Sequence, residues 1–206
     1  MDLDAALLEE LQRAHQPHTV ILYGSRARGD ATAESDIDVA VFAEVSETTR
    51  DARLWNGMYL DAFVYPTAIA IAPPDHEILK LCGGRTLLDE RQLAGPLFER
   101  LAALDREGPA ALPPGDAQMR RVWARKMVAR IVRGDVEAHY RHHWLLYQLL
   151  EDYFALRGEW YRGAKLALAG LKISAPDTFA AFERALDPGA SADVLEALVE
   201  YVVGRP

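Results

Sequence analysis

Leu22-Tyr23-Gly24-Ser25-Arg26-Ala27-Arg28-Gly29-Asp30, followed shortly by Ser35-Asp36-Ile37-Asp38-Val39-Ala40-Val41-Phe42, is the stretch on which the reading of this chain turns. The apolar run Thr19 to Tyr23 has strand character and stops at a glycine turn, and a second run, Ile37 to Ala43, opens behind two carboxylates. Alternate side chains on a strand share a face, so Asp36 and Asp38 point one way while Ile37 points into the core. Like charges held side by side repel, and a divalent cation is the common means of stabilising such a pair. A solvated strand opening on a Ser-Asp turn carries the same pattern, so the pair alone decides nothing. A third carboxylate, Asp61, lies in another strand-like run, Met58 to Tyr65.

Outward from this stretch, Leu3, Leu7, Leu8 and Leu11 have helical spacing, which predicts an amphipathic helix over 3–14 ended by Pro17. Arg26 to Asp30 reads as a short helical or turn segment, 46–53 as a short helix, and Leu54 to Tyr65 as a third strand with Asp61, Phe63 and Tyr65 on one face. Asp75 to Leu81 reads as a short helix behind an Asp cap, Thr86 to Leu88 as a short strand and Leu93 to Leu104 as a helix. Gly108 to Asp116 combines breakers with a loss of periodicity and reads as a linker. Beyond it helices are expected over about 117–133, 135–157, 159–171, 176–187 and 190–203. The expectation is an α+β chain: a small mixed sheet flanked by helices over 1–107, a linker at 108–116 and an all-helical bundle over 117–206.

The chain has 206 residues, 50% hydrophobic and 26% charged, enough to bury a substantial core. Its net charge of −8 is uneven: residues 1–106 hold 18 acidic and 10 basic side chains, and the rest hold 13 of each. A long polyanion is recognised by a broad basic surface, so nucleic acid is disfavoured as a partner. The single Cys82, the absence of a signal-like start and the absence of an apolar run of membrane-spanning length give cytoplasm, away from membranes, as the expected location.

Gly24 and Ser25, ten intervening residues, then Asp36-Ile37-Asp38 together resemble the signature of the DNA polymerase beta-like nucleotidyltransferase superfamily. The resemblance implies that Asp36, Asp38 and, on looser spacing, Asp61 bind divalent metal, two Mg²⁺ ions, with Asp61 also a candidate to take the acceptor proton. It implies that Gly24 and Ser25 hold the phosphates of ATP or another nucleoside triphosphate, where small residues permit close approach and a helix start favours anions. Arg26 and Arg28 are candidates for phosphate contact, with surface pairing of Arg28 to Asp30 or Glu34 as the alternative.

In the helical half, Val136, His139, Tyr140, His143, Tyr147, Leu150, Glu151 and Phe154 fall on one side of a helix, opposite Ala138, Leu145, Leu149 and Leu156, and both sides read as buried. The near side suits the wall of a substrate cleft, and a plain bundle helix is the alternative. His139 and His143 have the spacing of a zinc pair without a visible third ligand, and Arg133 with His139 fits the permissive Arg-x(4–6)-His pattern of HEPN ribonucleases. The two-part layout resembles aminoglycoside nucleotidyltransferases. That likeness implies Lys165 as a triphosphate ligand, Glu151 as an acceptor-binding acid or general base, and His143 and Tyr147 as acceptor contacts. The function expected is transfer of a nucleoside monophosphate, AMP foremost, to a hydroxyl of a small molecule such as an aminoglycoside. An antitoxin-like enzyme that modifies a partner protein's tyrosine is the second reading, and a silent binding protein the third. The sequence leaves the oligomeric state open.

Overall fold

The structure, a computed structural model, describes residues 2–204; Met1, Arg205 and Pro206, which the expected domains include, lie outside the described residues. The chain divides into two compact units, Met1–Glu107 and Gly108–Pro206. It is α+β, with its sheet in the first unit and helices dominating the second.

The first unit opens with α1 (Leu3–His15), capped by the Asp2 side chain, followed by β1 (Thr19–Tyr23), the one-turn α2 (Gly24–Arg28) and β2 (Ile37–Ala43). Next come β3 (Thr49–Trp55) and β4 (Met58–Pro66), a short α3 (Thr67–Ile71), a 3-10 turn over Glu77–Leu81, β5 (Arg85–Asp89) and α4 (Ala94–Glu107). The strands lie in the order β3-β4-β2-β1-β5, with only β2 and β4 parallel. Alternation divides the sheet between two cores. Leu7 and Leu11 of α1 pack with Val20, Leu22, Ile37, Val39, Val41, Leu60 and Val64 on one face. Ile21 and Phe42 point the other way and are equally buried, on the face that meets α3 and the 3-10 turn, which in turn pack against α4. Asp89 ends β5 by accepting hydrogen bonds from the amides of Leu93 and Ala94, which joins the edge strand to the start of α4.

Two expectations about this unit fail together. The helix expected over 46–53 and the single strand over 54–65 are a hairpin, β3 against β4, turning at Asn56 and Gly57, which both have positive φ (50° and 79°). Asn-Gly is the preferred pair for such a tight turn, whereas the polar, arginine-rich composition of β3 hides its strand character because it lies at the sheet edge. The 3-10 turn does start behind its Asp cap, with Asp75 Oδ1 accepting from the amides of Glu77 and Ile78.

The second unit holds α5 (Pro114–Ile131), α6 (Val136–Ala155), α7 (Ala164–Ser174), α8 (Pro176–Leu186) and α9 (Ala192–Val203). Helix α5 begins inside the expected linker because proline is favourable at the first helical position, where no amide hydrogen is needed. Helix α7 starts later than expected, after Gly163 at φ 83°. Leu145 and Leu149 of α6 form the centre of a core with Met127, Phe182, Leu195, Leu198 and Val202. The reading of α6 as buried on both sides is wrong: Val136, Tyr140 and Tyr147 are 86%, 71% and 65% exposed. No helix among the described residues is long and apolar enough to cross a membrane.

Candidate active site

Strand register assembles the site. In the parallel pair β2–β4, Asp38 stands directly beside Asp61, and in the antiparallel pair β1–β2 it stands beside Tyr23. Asp36 precedes β2 by one residue and is exposed, while Ile37 between the two aspartates is fully buried. The three carboxylates thus meet at one end of the sheet. Burial first, then the charges of Asp61 and Asp36, push the Asp38 carboxyl above its ordinary range. The same surroundings hold the Tyr23 hydroxyl far above its usual value, through burial and then the charge of Asp38.

Gly24 explains why the turn before α2 is glycine. Its φ is 71°, and a Cβ on it would lie 2.2 Å from Asp38 Oδ2. The backbone of the turn is therefore pressed against the carboxylate, which no other residue permits. Ser25 follows, buried, at the start of α2.

The expected arginines divide. Arg26 donates from Nε to the carbonyl of Asp36 (3.1 Å) and from Nη2 to that of Ser35 (2.7 Å), so it positions the segment that carries the carboxylates. Arg28 reaches Asp30 at 3.3 Å, and its charge also offsets part of the rise at Asp38.

Two cations at the site were missed. Arg50 of β3 donates from Nε and Nη2 to the two oxygens of Asp61, at 2.6 and 2.8 Å. Its strand lies in the segment whose composition predicts a helix, and the Asn56-Gly57 turn is the sequence signal for the hairpin. Lys80 places its ammonium 3.3 Å from the Phe63 ring centroid, with the rings of Tyr23 and Tyr65 at 5.6 and 6.0 Å. Although Lys80 is an exposed residue by surface area, crowding around the ammonium lowers its pKa, against the pull of Asp61 and Asp38. No local sequence signal marks it, since the rings come from β1 and β4.

The donor set fits a divalent cation. It is all oxygen and gathered at one sheet end, and among the described residues neither Asp36 nor Asp38 is in an ion pair. With Asp61 turned onto Arg50, no group of three or more His, Cys, Asp or Glu among the described residues is arranged to hold a metal ion.

In the second unit the expected residues separate. His143 and Tyr147 line a small apolar cavity of about 200 Å³ with Leu146, Leu150, Tyr161 and Phe182. Glu151 is outside its lining and pairs with Arg120 at 3.2 Å, as does the fully buried Asp152 at 2.5 Å. Lys165 is exposed in the first turn of α7. His142 stacks on His143, and no group of three or more His, Cys, Asp or Glu that could hold a metal forms around His139 and His143 among the described residues.

Residues 5–80 match the family model of the nucleotidyltransferase domain, a span that includes β1, the Gly24 turn and all three carboxylates. The match identifies residues 5–80 as a nucleotidyltransferase domain and supports nucleotidyl transfer as the chemistry of that part of the chain. Among solved structures, one that is similar is a nucleotidyltransferase-like protein from Exiguobacterium sibiricum 255-15, 14% identical, with a TM-score of 0.46 over 98% of this chain and 74% of that one. No curated protein matches the chain.

Proposed function

We propose that the chain transfers a nucleoside monophosphate, AMP from ATP foremost, to a hydroxyl of a small acceptor. The observation that carries this reading is the Asp38–Asp61 register pair, with Asp36 just ahead of β2 and the Gly24 turn against Asp38. Asp36, Asp38 and Asp61 would hold two Mg²⁺ ions. When bound, such ions offset the negative charge that gathers on the attacking and leaving oxygens. Gly24 lets backbone approach the site, Ser25 offers a hydroxyl at the start of α2, and Arg28 adds positive charge for phosphate. Arg26 holds Asp36 in place through the backbone. Asp61 is the candidate to take the proton of the acceptor hydroxyl.

In this reading the helical unit binds the acceptor, with the cavity lined by His143 and Tyr147 as the candidate site, and Lys165 is the candidate triphosphate ligand of that unit. The cavity lining contains no carboxylate, and Glu151 is held by Arg120. A polycationic aminoglycoside is recognised by acids, so the lining favours an acceptor with an apolar or aromatic part. Incubation with labelled ATP, GTP, CTP and UTP plus Mg²⁺, against hydroxylated small molecules and a cell lysate, tests the reading by mass spectrometry of the products. A labelled small molecule is the expected result. A labelled protein tyrosine replaces it with protein modification, and no pyrophosphate release under any combination overturns it.

A further inference from the structure

Asp61 is committed in a way that its two companions are not. Both of its oxygens accept from one guanidinium, and that fork occupies the edge of the carboxylate from which a cation would be bound. Arg50 reaches it diagonally: its Cα partner across β3–β4 is Phe63, and Asp61 is opposite Ala52. The side chain of Arg50 is 56% exposed and that of Asp61 only 16%. The arginine can therefore leave by side-chain rotation, while the aspartate is held by its strand. A resting place lies next to it, since the guanidinium carbon is already 5.1 Å from the Phe63 ring centroid. Lys80, the other cation here, lies over the same ring at 3.3 Å, among three aromatic side chains, and makes no ion pair with Asp61 among the described residues. Of the two, Arg50 is built to change partners.

We infer that Arg50 competes with the divalent cation for Asp61 and, once displaced, is a guanidinium ligand of the nucleoside triphosphate. The inference rests on the nucleotidyl-transfer reading above. A divalent cation brings twice the charge of the guanidinium to the carboxylate, and the planar fork that fits a carboxylate fits a phosphate equally well. Metal and triphosphate then favour each other: the metal frees Arg50, and the phosphates hold Arg50 away from Asp61.

The test is Mn²⁺ titration followed by electron paramagnetic resonance, on the full chain, for wild type, Arg50→Gln and Asp61→Asn. It is repeated at saturating Mn²⁺ with a non-hydrolysable ATP analogue followed by calorimetry. Arg50→Gln is expected to bind Mn²⁺ alone about five-fold tighter, as loss of one partly exposed ion pair allows, and the analogue about five-fold more weakly. Metal binding by Arg50→Gln that is unchanged or weaker overturns the competition. Unchanged analogue affinity overturns the phosphate role. If Asp61→Asn binds Mn²⁺ as tightly as wild type, the assignment of Asp61 as a metal ligand falls and the competition falls with it, whereas weaker binding by Asp61→Asn with no gain in Arg50→Gln removes the competition alone. Circular dichroism and melting of Arg50→Gln, an exposed edge-strand substitution, confirm that each comparison is made on folded protein.

Discussion

Asp38 in the sheet unit and Asp152 in the helical unit are treated oppositely by their surroundings. Asp152 is completely buried, yet Arg120 meets its Oδ1 at 2.5 Å and Gln148 donates to the same oxygen at 3.0 Å, so its charge has a partner within its own bundle although Oδ2 is left without a hydrogen bond. Asp38 is only partly buried, but it is flanked by Asp36 and Asp61 and pushed above the ordinary carboxylate range. Burial of an acid is therefore a poor guide to function here. What separates the two is that Asp152 has an arginine partner of its own, whereas Asp38 stands beside two carboxylates and is in no ion pair among the described residues.

The contrast is broken most severely at the sheet. Asp38→Asn and Asp36→Asn are each expected to lower transfer by about a thousandfold, since several kcal/mol of charge stabilisation at the reacting oxygens is lost. Pyrophosphate release measures the loss, and melting curves should show the fold retained. Near wild-type turnover in either variant would sink the assignment. Arg120→Ala is expected to destabilise the helical unit by about 3 kcal/mol, because it leaves Asp152 buried with its charge unanswered. Chemical denaturation reads this out, and the double variant Arg120→Ala with Asp152→Ala should recover much of the loss.

Gly24→Ala tests the close approach itself. The positive φ and the overlap with Asp38 Oδ2 are expected to cost about 1 to 2 kcal/mol of stability and to reduce transfer more than the stability loss explains. An active, undiminished Gly24→Ala enzyme would mean that the turn does not meet the carboxylate as described. The smallest effect is that of pH on stability. His18, buried between Thr19 and Thr67 with both ring nitrogens hydrogen-bonded, has a lowered pKa, chiefly from burial and then from Arg91. The unfolded chain therefore binds the extra proton first. Stability is full above about pH 6.5 and declines as pH falls through the lowered folded value. His18→Gln should flatten that decline in denaturation midpoints measured across pH, and an unchanged slope would assign it to other groups.

Legibility followed the range of each interaction. The Gly24-Ser25 turn and the Asp36-Ile37-Asp38 pair were readable because a turn and a strand period are local, and the residues that define them are neighbours in the chain. Arg50 was not, because β3 is an edge strand with polar side chains on both faces, and its pairing with β4 depends on the Asn56-Gly57 turn. The place of Arg26 is decided by the carbonyls of Ser35 and Asp36, nine and ten residues on, which its position in the motif does not reveal. Glu151 and Lys165 rested on layout alone. The structure binds Glu151 to Arg120 and leaves Lys165 exposed.

By itself the sequence determined the α+β class, the glycine turn, the carboxylate pair and the helical character of the second half, since periodicity and turn chemistry act over a few residues. Only the tertiary structure decided that Asp38 stands beside Asp61, that Gly24 is pressed onto Asp38, and that Arg50 and Lys80 supply positive charge at the same sheet end. Those are matters of strand register and of which faces meet. Register is set by the burial of whole faces at once, and no single stretch of chain contains it.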